Sequence, residues 1–335
     1  MEFTNQQFRE ALQEASDDEK LYIPTAEEIE IADKLIGNNL SEVTKELIQH
    51  RKRADTLIKI PKDKKEEVEK NGSPDEKRIS REYPIGCCVD IRNAVMKSIS
   101  SSASTERNLS KSCKSILTQI AEALKVKEVW GVKNDAYLHA GIQVGNYFLD
   151  SANDTVDVKQ PKIAVSTIEQ AGFRDVRSIQ DYLDISIKYR GTTFERNPIT
   201  KLATFFPVIE TNNRLTFRGT LQPKLIQIIP TSVAADSILR SGLAEFRNAY
   251  DSMPETDEET KRIIRETLCR IEDPHRDFHT NPLPPQNSEF SIEDFFFSAS
   301  QMLYSPEMDA EILDKLNDMV NSINKILICT TEHQK

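Results

Sequence analysis

Between Val126 and Leu149, three apolar, β-branched runs follow one another with little chain between them: Val126–Val132, Ala136–Val144 and Tyr147–Leu149. Only Gly145-Asn146 separates the last two. A loop this short closes an antiparallel hairpin in one register. Val144 then pairs with Tyr147, Gly141 with Asp150, and His139 faces Ala152. His139 and Asp150 become diagonal neighbours on one face, with Cα atoms about 7–8 Å apart. A slip of one residue would send them to opposite faces. The feature that most restricts the fold therefore also brings an imidazole beside a carboxylate.

Upstream, Tyr83-Pro84-Ile85-Gly86-Cys87-Cys88 leads into Val89, Ile91, Ala94, Val95 and Ile99, whose spacing predicts a helix starting near Cys88. Gly86 permits a sharp turn ahead of it. A cysteine attacks a carbonyl as its thiolate, and an ordinary thiol, with a pKa of roughly 8.5, is mostly protonated at neutral pH. A helix N-terminus and a neighbouring imidazolium both favour the thiolate, and the position of Cys88 offers both. The unpaired amides of that first turn are candidate oxyanion donors. Cys87 is the competing nucleophile, one helix position away. Among the histidines, His50 precedes a charged stretch, His275 and His279 fall in a proline-rich loop, and His333 lies in the tail. That leaves His139 as the histidine in a core strand, with Asp150 as the group that orients its ring. Asp154 and Asp157 take that role if the register differs.

Gly86-Cys87-Cys88-Val89-Asp90 resembles the Gly-x-Cys-x-Asp helix start of the transglutaminase-like branch of the papain-like cysteine enzymes. Val129-Trp130-Gly131-Val132, then His139, then Tyr147-Phe148-Leu149-Asp150, is similar to the strands that follow in that family, in the same order of Cys, His and Asp. The resemblance covers residues 83–157. It implies an α+β fold with a papain/transglutaminase-like core, in which a helix carrying the cysteine packs on an antiparallel sheet. It also implies a Cys88-His139-Asp150 triad.

The remainder of the chain frames that core. Residues 1–56 read as an N-terminal helical segment, with Thr25 as an N-cap before Glu27-Glu28. Residues 57–82 read as a charged linker punctuated by Asn71-Gly72-Ser73-Pro74, residues 83–230 as the catalytic core and residues 231–335 as a C-terminal helical region. Ser100 to Thr105 reads as a serine-rich break and Leu109 to Leu124 as a second helix. Thr211-Asn212-Asn213 suits a hairpin turn, and Leu225–Ile229 a strand. Trp130 reads as core, with a groove wall as its alternative, and Gln143, on the His139 face by alternation, reads as solvent-facing, with approach to the site as its alternative. Phe295-Phe296-Phe297 reads as core.

The net charge is −10, from 44 Lys and Arg against 54 Asp and Glu. This argues against nucleic acid as a partner, which calls for a basic excess. No apolar run reaches the roughly 18 residues of a membrane span, and the acidic start Met1-Glu2 lacks a signal-peptide core. Five cysteines, an odd number, do not suggest a disulfide framework. Cys113, Cys269 and Cys329 read as buried thiols. Neither a metal nor a cofactor is expected, because zinc-ligand spacing is missing.

The expected function is cysteine-dependent acyl transfer on protein amides, as a thiol protease, deamidase or transglutaminase-like enzyme, with water exclusion deciding the acceptor. The alternative is a catalytically inactive member of the fold that serves as a protein–protein interaction module, including as a secreted effector, with its helical flanks binding a partner. The expected location is the cytoplasm, or another cell reached without a signal peptide.

Overall fold

The computed structural model describes residue 13 and residues 16–262, except 73, 199–207, 213–224, 242–243 and 259. The chain divides into two compact units, Glu19–Asp175 and Met1–Asp18 with Val176–Lys335. The first unit is α+β and holds every residue of the expected triad. It takes in residues 19–56 of the expected N-terminal segment and the expected linker, leaves residues 1–18 to the other unit, and ends well before residue 230.

Six helices precede its strands: α1 (Ala26–Leu35), α2 (Leu40–Ile58), α3 (Lys65–Asn71), α4 (Pro74–Glu82), α5 (Cys88–Glu106) and α6 (Ile116–Ala123). Thr25 caps α1 as expected. Its Oγ accepts from the Glu28 N–H at 3.2 Å, and its own N–H donates to the Glu28 carboxylate at 2.8 Å. Along α2, Val43, Leu47, His50, Arg51 and Ala54 form a buried stripe at helical spacing. The segment expected to be a linker is mostly helical, as α3 and α4. The serine-rich stretch is not a break either. α5 runs through it, with Ser104 and Thr105 turning their hydroxyls back onto the carbonyls of Ser100 and Ser101, each at 3.0 Å. The helix expected from Leu109 is shorter and begins at Ile116, where the Glu46 carboxylate takes the N–H groups of Ile116 and Leu117 at 3.0 Å each.

The strands are β1 (Val126–Lys133), β2 (Tyr137–Val144), β3 (Tyr147–Asp150), β4 (Ala164–Thr167) and β5 (Phe173–Arg174). They form one antiparallel sheet in the order β4-β3-β2-β1-β5. The β2–β3 register is the one expected from the turn, with Val144 opposite Tyr147, Gln143 opposite Phe148 and Ile142 opposite Leu149. Gly145 turns the corner at φ +57. One apolar cluster joins Ile142, Val144 and Leu149 to Ile36, Leu47, Ile91, Val95 and Ile120. A smaller cluster joins Val129, Phe148, Ala171 and Phe173, with the Phe148 and Phe173 rings stacked at 4.3 Å. The unit also closes on itself, since the Leu21 N–H donates to Asp175 at 2.9 Å.

The second unit contains α7 (Ile179–Arg190), capped by Ser178, and an antiparallel sheet of β6 (Thr193–Arg196), β7 (Val208–Asn212) and β8 (Leu225–Ile228). The helices α8 (Thr231–Ser241) and α9 (Ala244–Ser252) follow. Thr211 and Asn212 are paired strand residues, so the turn expected there is absent at those two positions. Glu210 is buried and ties the sheet to α7 through the Tyr182 hydroxyl at 3.0 Å. Asn213 of that expected turn, the phenylalanine run at 295–297 and residues 263–335 of the expected C-terminal helical region lie outside the described residues. Among the described residues, no helix is long and apolar enough to cross a membrane.

Candidate active site

Gly86 sits at φ +70, a conformation that strains any residue carrying a Cβ, and its N–H donates to the Thr155 carbonyl at 3.1 Å. The chain then turns into α5 with Cys87 at the N-cap and Cys88 as the first helical residue. The two cysteines are not equivalent. Cys87 is 1% exposed and its sulfur points at the Ile85 carbonyl, 3.6 Å away. Cys88 is only partly buried. Arg92, one turn on, is fully buried and donates to the Val129 carbonyl at 3.1 Å, which anchors α5 against β1. Cys113, expected to be buried, is exposed in a short turn. Cys269 and Cys329 lie outside the described residues.

His139 lies on β2 opposite Gly131 of β1 and is 1% exposed. Its Nε2 sits 2.9 Å from both oxygens of Asp150, itself 1% exposed. Asp150 also accepts from the Ala152 N–H at 2.9 Å and from Lys133 Nζ at 2.5 Å. The other ring nitrogen, His139 Nδ1, is buried and makes no hydrogen bond within ordinary limits. Burial alone would lower the His139 pKa; the Asp150 carboxylate and then Cys88 outweigh burial and raise it to about 9. For Asp150, burial works upward, but His139 and then Lys133 hold the carboxyl below its ordinary range. Aromatic rings wall the imidazole, with Tyr137 edge-on at 5.8 Å and Phe148 tilted at 6.4 Å.

No family model, curated protein or solved structure matches the chain. The chemistry of the site thus rests on its geometry.

The alternative orienters are occupied elsewhere. Asp154 is gripped by the buried Arg51, with Nη1 at 2.8 Å and Nη2 at 3.2 Å, and Asp157 closes a local turn with the Lys159 N–H at 3.0 Å. Gln143 is not solvent-facing. It is fully buried and clasps the backbone of Tyr22, accepting from its N–H at 2.9 Å and donating to its carbonyl at 2.7 Å. Trp130 is half-buried on β1, its N–H bound to the Glu19 carbonyl at 2.7 Å.

Lys133 is the residue that reading the sequence missed. The signal was present, because Lys133 lies two residues from Gly131, the partner of His139, and so shares its face. Among the described residues, no three His, Cys, Asp or Glu side chains converge as a metal would require.

Proposed function

We propose that the chain is a cysteine-dependent acyl-transfer enzyme acting on protein amides, built on a papain/transglutaminase-like helix-on-sheet core. Cys88 is the nucleophile, His139 the base and then the acid, and Asp150 the orienter. The observation that carries this reading is the divided state of the imidazole: Asp150 takes Nε2, while the buried Nδ1 makes no hydrogen bond and is the nitrogen assigned here to the Cys88 proton. Charge balance supports it further. Lys133, a protonated His139 and Asp150 together leave one buried positive charge, which a thiolate at Cys88 would cancel.

The Cys88 sulfur attacks the amide carbonyl carbon, and its proton passes to His139 Nδ1. Amides at the start of α5 are the donors available to the developing oxyanion. His139 returns the proton to the departing amine, leaving a thioester. A water or an amine then attacks the thioester while His139 takes its proton, and the Cys88 sulfur leaves. Water gives hydrolysis or deamidation, and an amine gives cross-linking.

A second reading draws on the burial of His139 and the Lys133 contact with Asp150, both of which also suit a purely structural ion cluster in an inactive interaction module. Iodoacetamide labelling of the full chain across pH, mapped by mass spectrometry, separates the two. The enzyme reading expects alkylation of Cys88 ahead of the other cysteines at neutral pH, lost in His139→Ala. Indiscriminate labelling only at alkaline pH would favour the interaction module.

A further inference from the structure

Lys133 closes β1, directly opposite Tyr137, with 7% of its surface exposed. Its Nζ donates to Asp150 Oδ2 at 2.5 Å and to Asn153 Oδ1 at 2.9 Å. The same carboxylate holds the His139 ring, with Nε2 2.9 Å from each of its oxygens, so two cationic groups converge on one buried anion. Asn153 gives the ammonium a second anchor and keeps it from swinging toward solvent.

Resting on the acyl-transfer reading above, we propose that Lys133 is a positioning residue that shares the Asp150 carboxylate with His139 and so sets how firmly the ring holds its proton. A buried carboxylate facing an imidazolium alone stabilises it without competition. A second cation on that carboxylate divides its charge and repels the imidazolium. The division serves both halves of the reaction. A ring that holds its proton too firmly is a poor acid toward the departing amine, and one that holds it too loosely does not take the thiol proton. The other groups facing the ring do not oppose this role. Tyr137 stays a neutral phenol, because burial and the Asp150 charge both raise its pKa. Phe148 is apolar, and Lys133 Nζ lies 5.9 Å from its ring centre. Cys88 is the reacting group itself.

The test is a titration of the His139 ring by NMR in the full chain with 13C-labelled histidine, the signal being assigned by its loss in His139→Gln. Lys133→Met is expected to raise the ring pKa by about one unit, a tenfold change in its proton affinity, while Lys133→Arg holds it near the wild-type value. A ring pKa that stays put or drops in folded Lys133→Met overturns the proposal. If that variant does not fold, Asn153→Ala must move the ring the same way by a smaller amount, and no movement there overturns it equally. The two readings fail separately. A ring shift without selective Cys88 alkylation refutes acyl transfer and leaves the charge sharing standing, and selective alkylation without a ring shift refutes the charge sharing alone.

Discussion

Arg51 holds Asp154 from 103 residues away, placing one nitrogen on each carboxylate oxygen. The same guanidinium donates to the Ser151 carbonyl at 2.8 Å and, through Nε, to Asp55 at 2.6 Å. Asp55 in turn receives the Tyr83 hydroxyl and Lys162. Thr155, beside Asp154, takes the Gly86 N–H. One buried cation on α2 thereby fixes the loop after Asp150 and the turn ahead of Cys88 against each other.

Removing that cation should be costly. Arg51→Met leaves Asp154 and Asp55 without their buried partner, and a loss of about 3–5 kcal/mol is expected. Urea unfolding of the single variants and of Arg51→Met with Asp154→Leu measures it. The double variant should be more stable than Arg51→Met, because no uncompensated carboxylate remains at position 154.

The pH dependence follows from two shifts of opposite sign. The folded pKa of His139, about 9, lies above its ordinary 6.5. Its stabilisation is therefore complete below pH 6.5 and fades as pH rises through 9, with an upper bound on the order of 3 kcal/mol. Asp150 is depressed below 3.8, so its share is complete above that pH and is lost as pH falls through the folded value. The share of these two groups is level between about pH 4 and 6.5, and against it the buried His50, whose pKa burial lowers, adds a decline in the denaturation midpoint as pH falls below 6.5. In Asp150→Asn the alkaline decline should flatten, and an unchanged decline would detach it from His139.

Gly141 has no room for a methyl group, because a Cβ there would lie 2.3 Å from the Phe148 ring. Gly141→Ala should cost about 1–3 kcal/mol by overpacking. Phe148→Leu in the same chain should restore part of the stability, read by thermal melts of the three variants.

Gln143 offers a cleaner readout. Gln143→Leu preserves volume but strips the Tyr22 N–H and carbonyl of their partner, at about 1–3 kcal/mol. Hydrogen exchange at the Tyr22 amide should accelerate in the variant while the amides of β1 keep their protection.

What could be read from the chain follows the range of the forces involved. The β2–β3 register was legible because one short turn and one alternation decide it, and the helix start at Cys88 because Gly86 and the apolar spacing agree. The serine stretch misled because serine is a weak helix former, and that local preference is overridden where the same helix buries Ile91, Val95 and Ile99. Lys133 was overlooked because a lysine at a strand end is ordinarily solvated, and only the pairing of Gly131 with His139 turns it inward. Arg51 and Asp154 could not be matched from sequence at all, since charge pairs across 103 residues leave no periodic trace. Gln143 reversed expectation for a similar reason, its partner Tyr22 being 121 residues away.

The bond between Leu21 and Asp175 has a consequence for how such a protein can be assembled over time. The Glu19–Asp175 unit starts and finishes at one spot, while the other unit is made of the sequence on either side of it. A section of chain with adjoining ends can be spliced into a host sequence at a single position. The same adjacency lets those ends be joined and new termini cut elsewhere without breaking the sheet. The chemistry attributed to Cys88 is in that sense portable cargo.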